Sequence, residues 1–374
     1  MEYTRDVPEI PFFKKFSFPK LSLDILHKKP DKIIGLDVGV HSSKVVELEY
    51  TEGKAILKTY GELASAAYLK EKEGIGGGFL RFVESDIVEL IKNILHESGV
   101  TAKHAVVSLP ASSSFITNIT LPRVQPSEIE QAIPYEARKY IPIPISEVIL
   151  DWEVIEKANQ ETVEVVIVAV PYEVIEKFKR VAEAANIVPL ALEVESFSMV
   201  RSLAGQDSTP LAIVSIGFQE SILAIVDKTR LRTAHHFTRG SEELTRALEK
   251  GLSISHERAE TVKHEAGLSE RIEEREITSI LAPFLETFFS EIERFISIYN
   301  RKAERKVQKV ILTGGGSNLK GIVELAVSKF GIEVTKGNPF SRIVTPSFMQ
   351  PMLREIGPSF SVAAGLALRE IGNK

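Results

Sequence analysis

Two stretches of this chain repeat one pattern of strand, glycine turn and strand, with 178 residues between equivalent positions. In IIGLDVGVHSSKVVEL, Gly39 follows Asp37 by two residues and precedes Ser43 by four. In LAIVSIGFQESILAIV, Gly217 follows Ser215 by two residues, and a serine again comes four residues later. Each stretch continues into further strand-like and helix-like segments. A repeat on this scale predicts two related α/β lobes that face each other across a cleft.

The length and composition agree with two lobes. A chain of 374 residues exceeds what one ordinary hydrophobic core organises. Apolar residues make up 44% and charged residues 26%, as is typical of a globular protein in water. The net charge of −5 gives no basic excess of the kind that nucleic-acid binding needs. The absence of cysteine excludes disulfides, thiol catalysis and cysteine metal sites, and it is consistent with a reducing cytoplasm.

Neither a membrane span nor a signal peptide is expected. The most apolar stretch, Leu211 to Val226, has Gln219 and Glu220 at its centre, so two buried strands joined by a turn explain it better. Residues 1–31 carry prolines at positions 8, 11, 19 and 30, which forbid a continuous helix. We expect an irregular N-terminal arm there. It is either a disordered tail or a segment that touches a partner or a membrane surface through its Phe and Lys side chains.

Several helix boundaries can also be predicted. A helix over Ser85 to Gly99 has Ser85 as its N-cap and a glycine as its stop. In PSEIEQAIPYEARKY, Ser127 and Glu130 form a capping-box pattern, and Pro134 predicts a kink or a break. Near its end the chain has a helix rich in small residues, PSFSVAAGLALRE.

The chemistry that the repeated turns suit is phosphate binding. Gly39 and Gly217 have no Cβ, so the backbone can bend tightly and approach a ligand. Asp37, at a strand end, can hold Mg²⁺ through water. The groups expected to hold phosphate oxygens are backbone N–H groups and the side chains of Ser42, Ser43 and Lys44. One such turn alone is more often a plain β-turn, so the interpretation depends on the duplicate and on a third motif.

That third motif is TGGGSNLKG, between an apolar strand and a helix. Gly314, Gly315, Gly316 and Ser317 form a turn without bulky side chains, against which a purine or a ribose can lie. The alternative is a tight strand–helix connection. We favour the ligand interpretation, because three consecutive glycines carry an entropic cost that a simple connection does not require.

Together these motifs resemble the two phosphate motifs and the adenosine motif of the actin, sugar-kinase and DnaK-type chaperone superfamily. Within it, IEQAIPYEARKYIPIPISEVILDWEVI, from Ile129 to Ile155, is similar to PilM, the actin-like component of type IV pilus systems. EVESFSMVRSL, GNPF and SVAAGLALRE carry the same resemblance, which covers about residues 32–370. It implies an α/β protein with a duplicated actin-like (ribonuclease H-like) fold, its two lobes placed around a nucleotide cleft.

The resemblance also implies a domain plan. An arm at 1–31 precedes a first lobe at 32–207, which carries an inserted small subdomain at about 112–190. A second lobe follows at 208–358, and a C-terminal helix at 359–374 returns to the first lobe.

Ligands and partners follow from the same resemblance. PilM-type proteins are cytoplasmic, bind ATP with Mg²⁺, and bind the N-terminal peptide of the membrane protein PilN in the small subdomain. They also couple to the inner-membrane platform and its motor ATPases, and homo-oligomers are compatible with this role. The candidate groove contacts here are Ile133, Tyr135, Glu136 and Tyr140, although ordinary core packing explains Ile133 equally well.

One position departs from the superfamily pattern. The second phosphate turn usually begins with Asp, and here it begins with Ser215, so one of two carboxylates that organise Mg²⁺ and the attacking water is missing. Glu195 is the candidate for orienting water, although an acid at a helix N-terminus is also explained by the helix dipole. We expect ATP binding with weak or absent hydrolysis, at most a slow ATPase.

Other functions remain open. A small-molecule kinase of the same fold needs a base beside a substrate pocket, and no sugar-kinase signature is present. A scaffold without nucleotide turnover, of the GspL type, is disfavoured by Asp37 and the glycine turns. A filament former of the FtsA type would carry a C-terminal amphipathic helix, which we do not expect here.

Overall fold

The computed structural model describes residues 30–69, 81–122, 126–157, 162–269 and 271–369. The predicted arm, apart from residues 30 and 31, lies outside this part of the chain. The strands are β1 (Lys32–Val38), β2 (Ser42–Thr51), β3 (Lys54–Ala64), β4 (His104–Leu109), β5 (Phe115–Pro122), β6 (Val148–Lys157), β7 (Thr162–Pro171), β8 (Val188–Val194), β9 (Leu211–Ile216), β10 (Ser221–Asp227), β11 (Arg230–Phe237), β12 (Lys309–Thr313) and β13 (Glu333–Lys336). The α-helices are α1 (Glu84–Glu97), α2 (Pro126–Ala137), α3 (Tyr172–Ala184), α4 (Glu195–Leu203), α5 (Ser241–Leu252), α6 (His256–Ala266), α7 (Arg275–Lys302), α8 (Ile322–Phe330), α9 (Gln350–Ile356) and α10 (Ser361–Ala367).

Two five-stranded sheets in the described residues have the same plan. The first has the order β3-β2-β1-β4-β8, and the second has the order β11-β10-β9-β12-β13. In each sheet the first three strands in the chain are antiparallel neighbours, and the last two are added in parallel. The predicted duplication is therefore present in the topology.

The two repeated turns also match in register. Val38 pairs with Ser43 across the first turn, and Ile216 pairs with Ser221 across the second. A Cβ on Gly39 would lie 2.5 Å from a backbone carbonyl oxygen three residues ahead, and a Cβ on Gly217 would meet its equivalent oxygen at the same distance. Such contacts are too short for any side chain, so the tightness of each turn itself requires glycine.

A third, three-stranded sheet has the order β5-β7-β6, and its strands come from the segment predicted as an inserted subdomain. Helix α2 packs on this sheet through its apolar face. The residues of that face are Ile129, Ile133 and Ala137, and they are continued by Ile141. Their four-residue spacing places them on one face, which is the reason why α2 buries one side and leaves the other in solvent.

The structure corrects two predictions about helix starts. Helix α1 begins at Glu84 after Val83, which makes no side-chain cap, so Ser85 lies inside the helix. Helix α2 begins at Pro126, so Ser127 is also an inner residue and not an N-cap. Acidic residues lie in the first turn of both helices, Glu84 in α1 and Glu128 in α2, where negative charge is stabilising.

Of the kink or break predicted at Pro134, the break is absent. Helix α2 continues through Pro134 to Ala137. Proline removes one backbone hydrogen bond, but the buried side chains on either side of it keep the helix on the sheet. Helix α7 likewise continues through Pro283, and the fully buried Phe289 anchors it in the core. None of the helices in the described ranges is both long and apolar enough to cross a membrane.

Helix α10 lies across the first sheet and beside α4. A Cβ on Gly35 of β1 would strike the carbonyl of Ala363, and a Cβ on Gly365 would strike the carbonyl of Ser198. Small residues therefore let α10 touch β1 and α4 backbone to backbone. Within the described residues, the predicted helix is present and contacts the sheet that begins the fold.

Candidate functional site

One large cavity lies where the two repeated turns and the glycine-rich turn meet. Its volume is about 920 Å³, and both five-stranded sheets contribute to its wall. The predicted site residues that line it are Asp37, Gly39, Ser42, Lys44, Glu195, Ser215, Gly217, Gly314, Gly315 and Gly316. Residues separated by more than 270 positions in the chain are thus brought to one place.

Two predicted residues lie beside the cavity with their side chains engaged elsewhere. Ser43 is fully buried, and its Oγ lies 2.9 Å from the Oγ of Ser65. Ser317 is also buried, and its Oγ donates to the carbonyl of Gly314 at 2.7 Å. For Ser43 the reason is strand alternation, since Ser42 and Lys44 occupy the opposite face of β2. Neither hydroxyl is directed to the cavity, so only the backbone of these residues is available there.

Asp37 ends β1 and is fixed by a neighbouring strand. The hydroxyl of Ser108 on β4 donates to Asp37 Oδ1 at 3.0 Å and accepts from the backbone N–H of Val38 at 3.1 Å. Burial raises the pKa of Asp37, and nearby Glu62 adds to this, while Lys44 and Ser108 oppose it. The carboxyl group is thus held rigidly in a place where its negative charge is costly.

Glu195 is the first residue of α4 and lies close to Asp37. Burial raises the pKa of Glu195 well above its usual value, and the carboxylates of Asp37 and Glu220 raise it further. Glu220 belongs to the second repeated turn, and its Oε2 lies 3.0 Å from His236 Nε2. Burial alone would raise the pKa of Glu220, but the hydrogen bond from His236 brings it below its usual value. The sequence interpretation missed Glu220 as a site residue.

A second set of residues missed from the sequence comes from α6. Glu260, Lys263 and His264 line the cavity. Lys263 Nζ donates to Glu260 Oε2 at 2.7 Å and to Thr245 Oγ1 at 2.8 Å, and His264 Nε2 lies 3.1 Å from Glu260 Oε1. Burial opposes ionisation of Glu260, yet these hydrogen bonds hold its pKa well below the usual range. Spacing of three and four residues on one helix face was the available signal.

The glycine-rich turn has two kinds of glycine. Gly314 has a φ of 78°, and a Cβ there would strike the backbone of Ile216. A Cβ on Gly316 would strike the side chain of Ile216. A Cβ on Gly315 would meet only Ser359 Oγ, at 3.8 Å, which is an ordinary contact. Packing against β9 thus explains two of the three glycines, and open space remains only over Gly315.

The residues predicted for a peptide groove lie on or after α2, away from this cavity. Ile133 is fully buried under the three-stranded sheet, so it is a core residue and not a groove contact. Tyr135 is 70% exposed and Tyr140 is 52% exposed. Glu136 pairs with Lys139 at 2.8 Å. An exposed pair of tyrosines is therefore what α2 and the turn after it offer to a partner.

Comparison with known proteins now gives the family. Residues 35–371 match the sequence model of the family described as type IV pilus assembly protein PilM. This chain belongs to the PilM family. The resemblance predicted from IPYEARKYIPIP and the glycine motifs is thereby confirmed.

Solved structures confirm the predicted fold class. The chain is similar to the structure named PilM-PilN type IV pilus biogenesis complex, with a TM-score of 0.79 and 24% identity over 92% of this chain and 99% of that one. It is also similar to the ethanolamine utilization protein EutJ from Carboxydothermus hydrogenoformans, with a TM-score of 0.56, 16% identity, and coverage of 91% and 90%. Against MreB 5 of Spiroplasma citri bound to AMPPNP, the values are 0.51, 13%, 90% and 95%. The fold of this PilM family member is thus a two-lobed actin-like α/β fold.

The chain is also similar in sequence to a curated cell division protein. The chain is 20% identical to the cell division protein FtsA of Enterococcus hirae over 354 residues, which cover 82% of this chain and 78% of the relative. Actin-like architecture is common to these proteins, so their separate functions must be argued from their sites.

Proposed function

We propose that this protein is an ATP-binding adaptor of type IV pilus assembly that holds Mg-ATP in the cavity and the N-terminal peptide of a PilN-like membrane protein on its small subdomain. The observation that carries the proposal is the convergence of both repeated turns and the glycine-rich turn on one cavity of about 920 Å³. This volume is in the range of pockets that enclose cofactors, which is roughly 300–1,000 Å³. The structurally similar MreB 5, solved with AMPPNP, supports an adenine nucleotide as the occupant.

The residues that line the cavity indicate where the phosphates and the base of the nucleotide lie. Phosphate groups suit the space between the two repeated turns, where Lys44 and residues of both turns line the cavity. Lys44 Nζ, which donates to Ser42 Oγ at 2.7 Å and lies 3.2 Å from Glu62, is the nearest fixed cation. The base suits the open space over Gly315. The ionised Glu260 can accept hydrogen bonds from ribose hydroxyls, which are donors that a carboxylate satisfies well.

The residues of the wall also fit Mg²⁺. The carboxylates of Asp37 and Glu220 raise the cost of ionising Glu195, and a divalent cation near Asp37 would lower that cost. Among the described residues, no group of three or more His, Asp or Glu side chains is arranged to hold a metal directly. This favours an ion that keeps its own water and meets Asp37 through it, as Mg²⁺ does. When bound, Mg²⁺ supplies neutralisation of phosphate charge.

Weak or absent hydrolysis follows from two wall residues. Ser215 offers no carboxylate at the end of β9. Burial and the carboxylates of Asp37 and Glu220 raise the pKa of Glu195, which disfavours the ionised form that a general base needs. The cavity is therefore built to hold ATP, and at most it turns ATP over slowly.

The partner side of the proposal depends on the family and on α2. The solved PilM-PilN complex shows a PilN partner for the relative, and Tyr135 and Tyr140 are exposed here on the same small subdomain that we assign to the peptide. Tyrosine is enriched at the energetic centres of interfaces. We further propose a cytoplasmic location, attachment to the inner membrane through this partner, and coupling to the platform and motor ATPases.

Calorimetry tests the proposal directly. Mg-ATP is titrated into the full chain with and without a synthetic peptide from the N-terminus of the PilN-like protein. We expect Mg-ATP binding in both cases and peptide binding to the protein. Asp37→Asn is the matched variant, and it should lose the Mg²⁺ dependence of ATP binding while it keeps its shape. No heat of nucleotide binding in either case would favour a scaffold without nucleotide, whereas rapid turnover with a small-molecule acceptor would favour a kinase.

A further inference from the structure

An aromatic pair joins the two repeated turns across the mouth of the cavity. His41 lies in the turn between β1 and β2, and Phe218 lies in the turn between β9 and β10. Their ring centroids are 3.8 Å apart, and the rings are inclined by 20°. Both residues line the cavity. A direct contact between the two lobes is thus made by one imidazole and one phenyl ring.

The backbone of each stacked residue is fixed by a hydrogen bond. The carbonyl of Phe218 accepts from the backbone N–H of Glu242 at 2.8 Å, and Gly240 leaves no room for a Cβ against the same carbonyl. On the other side, the carbonyl of His41 accepts from the backbone N–H of Ser65 at 2.8 Å. The imidazole is therefore fixed in orientation by a stacked ring and an anchored backbone.

His41 differs from the two lysines of the cavity wall in its hydrogen bonds. Within the described part of the chain, its ring nitrogens have no hydrogen-bond partner, and the phenyl ring that covers one face supplies none. Lys44 is engaged by Ser42 and Glu62, and Lys263 is engaged by Glu260 and Thr245. His41 is exposed at the cavity wall, so its ring nitrogens are accessible to a ligand that enters the cavity.

Partial burial and two nearby cations favour the neutral form of His41. Burial lowers the pKa of His41, and the cations Lys44 on β2 and Lys263 on α6 lower it as well. Glu260 on α6 and Glu62 on β3 act in the opposite direction. The remaining acid of the facing turn, Glu220, is paired with His236. A polyphosphate placed between the turns would add several negative charges at this point and favour the imidazolium.

We propose that His41 is a specificity residue for polyphosphate, one that takes up a proton when phosphate groups occupy the space between the turns and donates a hydrogen bond to them while stacked on Phe218. The inference rests on the proposed function, because it places the phosphates there. No covalent step is involved, and the proton comes from solvent. Phe218 is the positioning residue of this arrangement.

In this proposal, phosphate binding and protonation of His41 favour each other. The pKa of His41 is raised by the bound phosphate relative to the empty protein, so its contribution to affinity is fully present below the pKa of the empty protein. That contribution is lost as the pH rises through the pKa of the complex. Because the linkage is reciprocal, ligand binding near neutral pH must take up protons.

Histidine-selective NMR on the full chain is the main test. His41→Gln assigns the resonance and gives a variant that can donate a hydrogen bond but cannot titrate. We expect the titration midpoint of His41 to move to higher pH with Mg-ATP and with inorganic tripolyphosphate, and not with adenosine. A midpoint that stays or falls while calorimetry shows Mg-ATP binding would overturn the inference. A rise with tripolyphosphate in the absence of any Mg-ATP binding would support it and would instead contradict the proposed function.

Calorimetry in buffers of different ionisation enthalpy gives a second measurement. The wild-type protein should take up more protons than His41→Gln on binding Mg-ATP, and the comparison removes the protons of the nucleotide itself. His41→Ala should weaken Mg-ATP binding about tenfold at a pH near 6, as for a lost charge-assisted hydrogen bond. Phe218→Leu keeps an apolar side chain without the stack and should weaken binding less. Equal proton uptake by wild type and His41→Gln would contradict the proposal, and thermal melting confirms that each variant is folded.

Discussion

Arg201 of α4 donates two hydrogen bonds from its guanidinium group to the carboxylate of Glu193 on β8, and both side chains are buried. The two N–O distances are 2.8 Å each, and Arg369 adds a third bond to the same carboxylate at 3.1 Å. All three side chains are buried. The network joins the edge of the first sheet to α4 and to the segment after α10.

Removing the charge of Glu193 should therefore be severe. Glu193→Gln leaves two buried guanidinium groups without their counter-ion, and we expect a loss of about 3–5 kcal/mol in the free energy of unfolding. Urea denaturation measures this. The control is Glu49→Gln, which breaks a solvent-exposed pair with Lys58 and should change stability by less than about 1 kcal/mol. Similar values for both variants would show that burial adds nothing to the Glu193 network.

The glycine-rich turn allows ligand binding and packing to be separated. Gly315→Ala has room for its Cβ, so we expect stability within about 1 kcal/mol of wild type. If the base lies over Gly315, Mg-ATP affinity should fall about tenfold or more. Gly314→Ala should instead unfold more easily, because its φ of 78° and the backbone of Ile216 exclude a side chain. Unchanged nucleotide affinity in folded Gly315→Ala would place the base elsewhere.

The missing carboxylate can be restored. Ser215→Asp should speed ATP hydrolysis about tenfold or more, since a second charged group would organise metal and water at the reacting phosphate. Ser215→Asn has nearly the same shape without the charge and should leave the rate as it is. Phosphate release under single-turnover conditions measures both. An unaltered rate in Ser215→Asp would mean that position 215 does not limit turnover.

A partly buried acid between the two lobes should make stability depend on pH. Glu153 on β6 lies 3.3 Å from Arg230 on β11, and burial raises its pKa to about 7 although Arg230 and Arg232 oppose this. The pKa of Glu153 is higher in the folded state than its unfolded value of 4.5, so its contribution to the free energy of unfolding is fully present below pH 4.5. That contribution is lost as the pH rises through about 7. Glu153→Gln should thus match wild type near pH 4.5 and exceed it by about 2 kcal/mol at pH 8.

The measurement is urea denaturation of both proteins at several pH values. The difference between them should grow between the two pKa values and then level off. A variant that is less stable than wild type at pH 8 would show that the ion pair with Arg230 outweighs the cost of burying the charge.

The partner surface can be tested by three tyrosines. Tyr135→Ala and Tyr140→Ala should each weaken binding of a labelled PilN-like peptide about tenfold, as truncation at an interface centre does. Tyr172 is comparably exposed, at 49%, and starts α3 outside the proposed groove, so Tyr172→Ala serves as the control. Fluorescence anisotropy follows the peptide. Equal losses in all three variants, or none, would remove α2 from the binding surface.

The sequence predicted best what depends on repeated local pattern. Asp37 and Ser215 could be aligned because the same turn recurs, and the register of both turns follows from tight glycine geometry. The spacing of the turn predicts that the Ser43 side chain faces the ligand, but strand alternation along β2 places it on the opposite face from Ser42 and Lys44. Ser85 and Ser127 were misassigned as caps because acidic first turns can start a helix without them.

What the sequence could not show depends on long-range contact. Glu260 and Lys263 are indistinguishable in sequence from the exposed face of a charged helix, and only the approach of α6 to the cavity gives them a role. His41 acquires its neighbour from the other repeat, 177 residues away, so nothing local marks it. The buried state of Ile133 follows from a sheet of which two strands, β6 and β7, come later in the chain.

Helix α10 has a consequence for how the protein is made. Its backbone contacts with Gly35 and Ser198 complete the side of the first sheet, yet residues 361–367 leave the ribosome after β13. The apolar face of the earliest strands therefore stays uncovered until residues 361–367 have been synthesised. Folding along the nascent chain thus cannot finish in N-to-C order, as it does for many multidomain proteins. A product of premature termination would expose that face, and this makes it a ready substrate for chaperones and proteases.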